Sequence, residues 1–402
     1  MYASNGSEDL VSSTMLRFGI EFEYLLIDTA GPHAGRVRDF SNLPFAEIAA
    51  ITAERPGLDD PRLATGDLGI KRGYWYLEGD ERFDAEGRFR TLEVKGVEIR
   101  TPPLAAIGDA LDHLLATEAA LAAQLDQHGL GLAVAAFNPQ RTHYAFDPPL
   151  TEWERDLRAR HPAYDGSHVS TLSYGPDLNL SFPGWDTART LAAVRRLNHY
   201  APYLVPFSFS SPFHAGQPWD GWSWRSHERA ALRPAVKLFL GAGEFEAWQP
   251  RSALIHPVRI PAEAGRIEFK AFDALPGADL LEACGHLLAG VCLAEDLPGA
   301  DEHTDVALYR RFARTGFADP ALYRTTRHVL DRAGAALARH GLGAADALAP
   351  LHRLLDAGRT PAHDLLDAYR RGGPMYRPGG LGRAAGPDLP HRMQQGSETH
   401  AR

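Results

Sequence analysis

Six acidic residues occupy positions at which β-strands would each turn them to a polar face: Glu21, Glu23, Glu93, Glu98, Asp177 and Glu268. The first two lie in Arg17-Phe18-Gly19-Ile20-Glu21-Phe22-Glu23-Tyr24-Leu25-Leu26, where bulky apolar residues alternate with Gly and Glu. Successive strand side chains point to opposite faces, so Glu21 and Glu23 stand side by side, away from Phe18, Ile20, Phe22 and Tyr24. Carboxylates that close repel unless water solvates them or a cation sits between them. A solvated sheet face accounts for one such pair. Three further stretches repeat the pattern.

In Leu92-Glu93-Val94-Lys95-Gly96-Val97-Glu98-Ile99-Arg100, Glu98 and Arg100 share a face and Glu93 has the opposite parity. Gly96 is a natural bulge position, and one bulge would bring Glu93 to the same side. Asp177-Leu178-Asn179-Leu180-Ser181-Phe182 turns Asp177, Asn179 and Ser181 one way. Arg266-Ile267-Glu268-Phe269-Lys270 turns Arg266, Glu268 and Lys270 one way. Gathered in one curved sheet, six carboxylates require divalent cations, and an oxygen-only donor set suits Mg²⁺ or Mn²⁺. Several such ions in a concavity suit phosphoryl transfer, where metals neutralise developing phosphate charge.

The elements that must position these residues follow from periodicity. Strands are expected at 17–26, 74–78, 89–101, 132–137 and within 170–182, the last broken at Gly175-Pro176. A strand pair is expected at 254–260 and 266–272, joined by 261–265. Helices are expected at 105–128, 151–160 (Thr151 as N-cap), 186–203 (Asp186 as N-cap), 278–296, 305–314, 319–340, 344–357 and 361–371. The stretch 207–224 reads as an aromatic loop. Strand pairs without βα alternation argue for an α+β fold with an antiparallel or mixed sheet. The expected organisation is a disordered lead at 1–14, one catalytic domain at 15–371 (sheet-rich 15–275, helical 276–371) and a disordered tail at 372–402.

The 402 residues carry a formal net charge of -9, which argues against general nucleic-acid binding. No apolar run reaches membrane-spanning length, and residues 1–14 lack a signal-peptide core. Cys284 and Cys292, eight apart on an expected helix, are too distant to bridge and read as buried thiols. A soluble cytoplasmic protein is expected. There is no Walker A motif, so any nucleotide binds without a P-loop.

These same stretches resemble the glutamate–cysteine ligase family among the glutamine synthetase-like carboxylate–amine ligases. The resemblance runs through Gly19 to Glu23, Val97 to Pro102, Gly175 to Ser181, Ser210-Ser211-Pro212-Phe213 and Arg266 to Asp273, in order. It implies a curved, mostly antiparallel sheet forming a funnel backed by helices. It implies that ATP phosphorylates the γ-carboxylate of glutamate and that an amino acid's amine attacks the acyl phosphate. The acceptor is cysteine or another amino acid, non-proteinogenic ones included. By this resemblance Glu21, Glu23, Glu98 and Glu268 bind metal, joined by Asp177 and, given a bulge, Glu93. Glu21, Asn179, Ser181 and Lys270 are expected against ATP, and Lys270, Arg225 and Arg259 are the expected catalytic cations. The family usually has histidine at Asp177 and arginine at Lys270. Aspartate still ligates Mg²⁺, while lysine loses arginine's bidentate fork. The Ser210-Ser211 segment is read either as cleft lining or as a structural turn, and Arg225 either as a substrate contact or as a surface arginine on tryptophan. The expected partners are small molecules, with a homo-oligomer left open. Two other functions stay open: a kinase on the same metal sheet, and a non-catalytic descendant binding nucleotide or amino acid.

Overall fold

A computed structural model describes residues 16–65, 70–160, 167–229, 233–343 and 346–382. The strands, in chain order, are β1 Arg17–Asp28, β2 Val37–Arg38, β3 Trp75–Phe83, β4 Phe89–Arg100, β5 Leu130–Val134, β6 Pro176–Ser181, β7 Phe213–His214, β8 Gln217–Pro218, β9 Val236–Leu240, β10 Ile255–Pro257, β11 Arg266–Phe269 and β12 Arg377–Pro378. Ten of them form one sheet along the path β10-β9-β11-β6-β1-β4-β3, with β2, β5 and β12 attached through β1. Every pairing in it is antiparallel except β9 with β10. The fold is α+β.

β1 is central because both of its edges are paired and, from Phe18 to Leu26, one face is lined by large buried side chains. Phe18, Ile20, Phe22, Tyr24 and Leu26 are buried, and helices Ile107–Asp126 and Ala278–Leu293 contribute Leu111, Leu114, Leu121, Leu281, Leu287 and Leu288 to the same core. Burial of each large aliphatic or aromatic side chain contributes about 1.5–3 kcal/mol, so this face holds the sheet to its helices. The other face carries Glu21 and Glu23 into a cavity.

The bulge expected at Gly96 is present. Glu78 of β3 pairs with Gly96 and Gly79 with Val94, so Lys95 is the extra residue of β4. A Cβ on Gly96 would lie 2.1 Å from the Tyr24 carbonyl oxygen. Only glycine admits that approach.

Several expectations are corrected. Residues 254–260 and 266–272 do not pair with each other. β10 and β11 flank β9, a strand absent from the sequence reading, which lies between them. Residues 170–174 are not a continuous strand with β6. A short helix Ser167–Ser170 and an isolated bridge from Ser173 to Phe137 occupy that stretch. The loop at 207–224 contains the β7–β8 hairpin and leads into helix Trp224–Arg229. The chain does not leave the fold at Gly372: β12 pairs with β5, and Tyr376 and Leu381 are buried. Residues 1–14 and 383–402, expected as lead and tail, lie outside the described residues.

The helical expectations hold within three residues at each end, except that the expected 344–357 is a helix only over Ala349–Asp356, with residues 344–345 outside the described residues. The Asp186 side chain accepts from Arg189 N, and Thr151 Oγ1 accepts from Glu154 N, as N-caps do. Cys284 and Cys292 are buried and free. No helix among the described residues is long and apolar enough to cross a membrane.

Candidate active site

Strand register assembles the carboxylates. Glu21 on β1 stands directly opposite Asp177 on β6, and Glu268 on β11 stands opposite Asn179, two residues further along β6. Glu23 on β1 stands directly opposite Glu98 on β4, which in turn faces Tyr76 on β3. Two triads result: Glu21, Asp177 and Glu268, and Glu23, Glu78 and Glu98, each with ligand oxygens within 4.8 Å of one another. Like charges directly opposite on a sheet are destabilising without compensation. Both triads line one cavity of about 360 Å³.

Basic side chains supply part of that compensation. In the first triad Lys270 donates to Asp177 and lies 3.4 Å from Glu268, while Arg266 Nη1 lies 3.0 Å from Glu268 and 3.8 Å from Glu21. Lys237 Nζ lies 3.7 Å from Glu268. Burial would raise the Glu268 pKa, but Lys270, Lys237 and Arg266 hold its carboxylate well below the usual range. Burial would lower that of Lys270, but Asp177 and Glu268 push it up. Burial outweighs the attraction of Glu268 at Lys237, which falls to about 8.

The second triad is less balanced. Lys95 Nζ donates to Glu23 at 2.5 Å and to the Ser170 and Ser173 carbonyls at 3.2 and 2.9 Å. Gly175 N donates to the other Glu23 oxygen at 2.9 Å. Lys71 pairs with Glu78. Glu98, only 4% exposed, enters no ion pair among the described residues. Burial, then Glu78, Glu21 and Glu23, pushes its pKa well above the ordinary value.

The donor chemistry fits divalent cations. Each triad offers three carboxylates with no nitrogen or sulfur donor, the set that Mg²⁺ or Mn²⁺ takes. Glu268 Oε2 is buried without a hydrogen-bond partner, and Glu98 is crowded by Glu78, Glu21 and Glu23 while forming no ion pair among the described residues. Glu21, Asp177 and Glu268 would hold one ion, and Glu23, Glu78 and Glu98 another. Bound there, such ions would supply charge neutralisation for phosphate oxygens.

The other expected site residues divide. Arg225 is buried, not a surface arginine. It donates to the Ala271 and Lys270 carbonyls at 3.0 and 3.3 Å and lines the cavity. Arg259 also lines it. Asn179 lies behind the lining: its amide donates to Glu21 at 3.1 Å and its oxygen accepts from Arg266 at 2.7 Å. Ser181 pairs with Arg17 at the end of β6, away from the lining. The Gly96 bulge turns Glu93 to the expected side, but Glu93 lies beyond the cavity, 3.3 Å from Arg82, and joins neither triad. Ser210 and Ser211 are buried and bind Asp273, Ser211 through Oγ at 2.9 Å, so that segment is a structural turn.

Sequence reading missed Glu78, Lys71, Lys95, Lys237 and Arg266 as site members. Glu78 shares parity with Tyr76 on an expected strand, and that is the signal that would have found it. Lys237 belongs to the missed strand β9.

Comparison with known families matches residues 17–231 to the model described as glutamate–cysteine ligase family 2. Comparison with curated protein sequences finds no match. Among solved structures, the chain is similar to a glutamate–cysteine ligase from Francisella tularensis in complex with AMP. That match has a TM-score of 0.53 at 13% identity and covers 90% of this chain and 86% of that one. It is also similar to a bifunctional glutathione synthetase from Pasteurella multocida, with a TM-score of 0.50 at 12% identity, covering 89% of this chain and 50% of that one. The fold is that of the glutamine synthetase-like ligases. With more than half of its 402 residues matched by the family model, the chain belongs to glutamate–cysteine ligase family 2.

Proposed function

We propose that the protein is an ATP-dependent ligase that joins the γ-carboxylate of glutamate to the amine of an amino acid through a γ-glutamyl phosphate. The observation that carries this is the pair of carboxylate triads in one cavity, interleaved with Lys237, Arg266 and Lys270. Carboxylates alone would repel ATP, and cations alone would bind any anion. The combination suits a phosphoryl group delivered with divalent cations to a carboxylate held beside it.

In this reading Lys270 and Arg266 meet the transferring phosphoryl oxygens. Lys237 adds charge beside them, and Asn179 keeps Glu21 and Arg266 oriented. Arg225, fixed by two backbone carbonyls, holds a substrate carboxylate in the adjoining part of the cavity. The apolar core beneath β1 keeps the floor rigid while charges change above it.

The test is coupled measurement of ADP with Mg²⁺ or Mn²⁺, glutamate and a panel of amino acid acceptors, with products read by mass. ADP and a γ-glutamyl amide are expected only when glutamate and an acceptor are both present. A stable phosphorylated product without an amide, or no ADP across the panel, overturns the proposal.

A further inference from the structure

One group of positive charges at the cavity is poorly compensated among the described residues. Arg225 and Arg229 lie one turn apart on helix Trp224–Arg229, and Arg233 follows in the chain. Arg225 and Arg233 line the cavity. Arg229 is 4% exposed, and its Nε and Nη2 are buried with no hydrogen-bond partner. Neither Arg229 nor Arg233 enters an ion pair among the described residues. Among the described residues the one carboxylate within ion-pair distance of the group is Asp273, 3.9 Å from Arg225 Nη1, and it is already bound by Ser210, Ser211 and Ser223; Glu23 and Asp177 attract the group from farther off.

A guanidinium cannot shed its proton to escape burial. An unpaired buried charge is among the least favourable arrangements a fold can hold, and here three guanidiniums share one region. Burial, then Arg233 and Arg225, pushes the Arg229 pKa well down, so each charge is felt by the others. Lys237 adds a further positive charge beside Arg233. Glu23 and Asp177 of the two triads attract this group but form no ion pair with it among the described residues, so the triads leave Arg229 and Arg233 without a close anion. Direct binding of an organic anion does, because the planar fork matches a carboxylate or phosphonate.

One amino acid carboxylate neutralises one guanidinium. With Asp273 beside Arg225, Arg229 and Arg233 still leave two guanidiniums without an ion pair among the described residues. We propose that Arg225, Arg229 and Arg233 recognise an acyl acceptor that carries an acidic group beyond its α-carboxylate, a dicarboxylic or phosphono amino acid rather than a neutral one. This rests on the ligase reading for the word acceptor, but the anion preference itself can be measured without turnover.

The test uses matched pairs that differ in one charge. The full-length protein, saturated with L-glutamate, Mg²⁺ and a non-hydrolysable ATP analogue, is titrated calorimetrically with L-aspartate or L-asparagine. It is titrated likewise with an ω-phosphono amino acid or its uncharged ester. The acidic member is expected to bind at least tenfold more tightly. Arg233→Gln, at a half-buried position, is expected to remove most of that advantage without changing the affinity for the nucleotide analogue. Arg229→Gln is expected to do the same, and Arg233→Gln decides the matter if that buried variant fails to fold. Equal or tighter binding of the neutral members, or an acid preference unchanged in Arg233→Gln, overturns the proposal. Turnover of neutral acceptors with no acid preference would leave the ligase reading intact and sink this one. An acid preference without ADP release on any acceptor would do the reverse.

Discussion

Lys270 on β11 donates its ammonium to the carboxylate of Asp177 on β6. These are the two positions at which the motif departs from the usual histidine and arginine of the resembling family. Aspartate for histidine adds a negative charge at the first triad, and the partnered lysine places a compact positive charge against it. The departures therefore compensate locally, and neither should be replaced alone without cost.

Asp177→His leaves Lys270 facing Glu268 alone, and Lys270→Arg brings a larger guanidinium to a carboxylate spaced for an ammonium. Each single variant is expected to lower kcat about 10-fold or more, and the double variant to recover part of the loss. Residues in direct contact couple by about 0.5–3 kcal/mol. Steady-state kinetics on the four proteins measures the coupling, and multiplicative losses in the double variant would show that the pair acts independently. Lys270→Met is expected to cost about 10²–10³ in kcat, the scale of losing one preorganised charge donor.

Glu98 should decide whether the second triad takes a cation. It is the one member of that triad that forms no ion pair among the described residues. Glu98→Gln is expected to remove about one Mn²⁺ per chain in an electron paramagnetic resonance titration. In metal-free protein the same variant is expected to raise Tm, because a buried like charge is gone. Unchanged Mn²⁺ stoichiometry would mean that Glu23 and Glu78 suffice, or that no ion binds there.

Much of this arrangement is legible in the sequence, and the reason it stops where it does is physical. Period-two alternation located β1, β4, β6 and β11 and put Glu21, Glu23, Glu98, Asp177 and Glu268 on polar faces. Gly96 signalled the bulge, which is there. Register between strands has no local signature, so the sequence places Glu93, turned to the correct side, among the metal ligands. Glu78 on the neighbouring strand took the position instead. β9 is five residues long and stops before Gly241, and its alternation of Lys237 and Phe239 with apolar neighbours is too short to stand out. Arg229 was invisible because charge without a partner is a property of the packed state alone.

Lys237 sets a pH limit. Burial, opposed by Glu268, lowers its pKa from 10.5 to about 8. The side chain is cationic below that value and neutral above it, so its attraction for phosphate disappears as pH rises. The KM for ATP is expected to climb above about pH 8 in the wild type. In Lys237→Arg, which keeps its charge through that range, the rise should move to higher pH. Superimposable KM profiles for the two proteins would remove Lys237 from the phosphate site.

Gly175 serves both ends of the cavity. Its N–H holds Glu23, and a Cβ there would lie 2.4 Å from the Phe272 carbonyl oxygen and 2.5 Å from Arg225 Nη2. Gly175→Ala must push the guanidinium from its two carbonyls. Overpacking of this kind costs about 1–3 kcal/mol. The KM for an amino acid substrate is expected to rise more than that for ATP. Equal rises would place Arg225 outside substrate binding.

The face of β1 turned away from the chemistry is tied to its surroundings by one carboxylate. Glu118, 4% exposed on helix Ile107–Asp126, accepts from Tyr24 Oη at 2.7 Å and from the backbone N–H groups of Leu381 and Gly382 at 2.6 and 3.2 Å. One carboxylate thus ties the central strand, its covering helix and the segment after β12 together. Glu118→Ala strands three donors, one of them the phenol of fully buried Tyr24, at about 1–3 kcal/mol for a buried group left unsatisfied. Tm is expected to fall by several degrees, and limited proteolysis to begin near residues 372–382. Because Tyr24 and Glu23 point to opposite faces, kcat at 25 °C should change less than twofold. A large kcat loss at unchanged Tm would mean that the segment after β12 acts on the cavity and not on the fold.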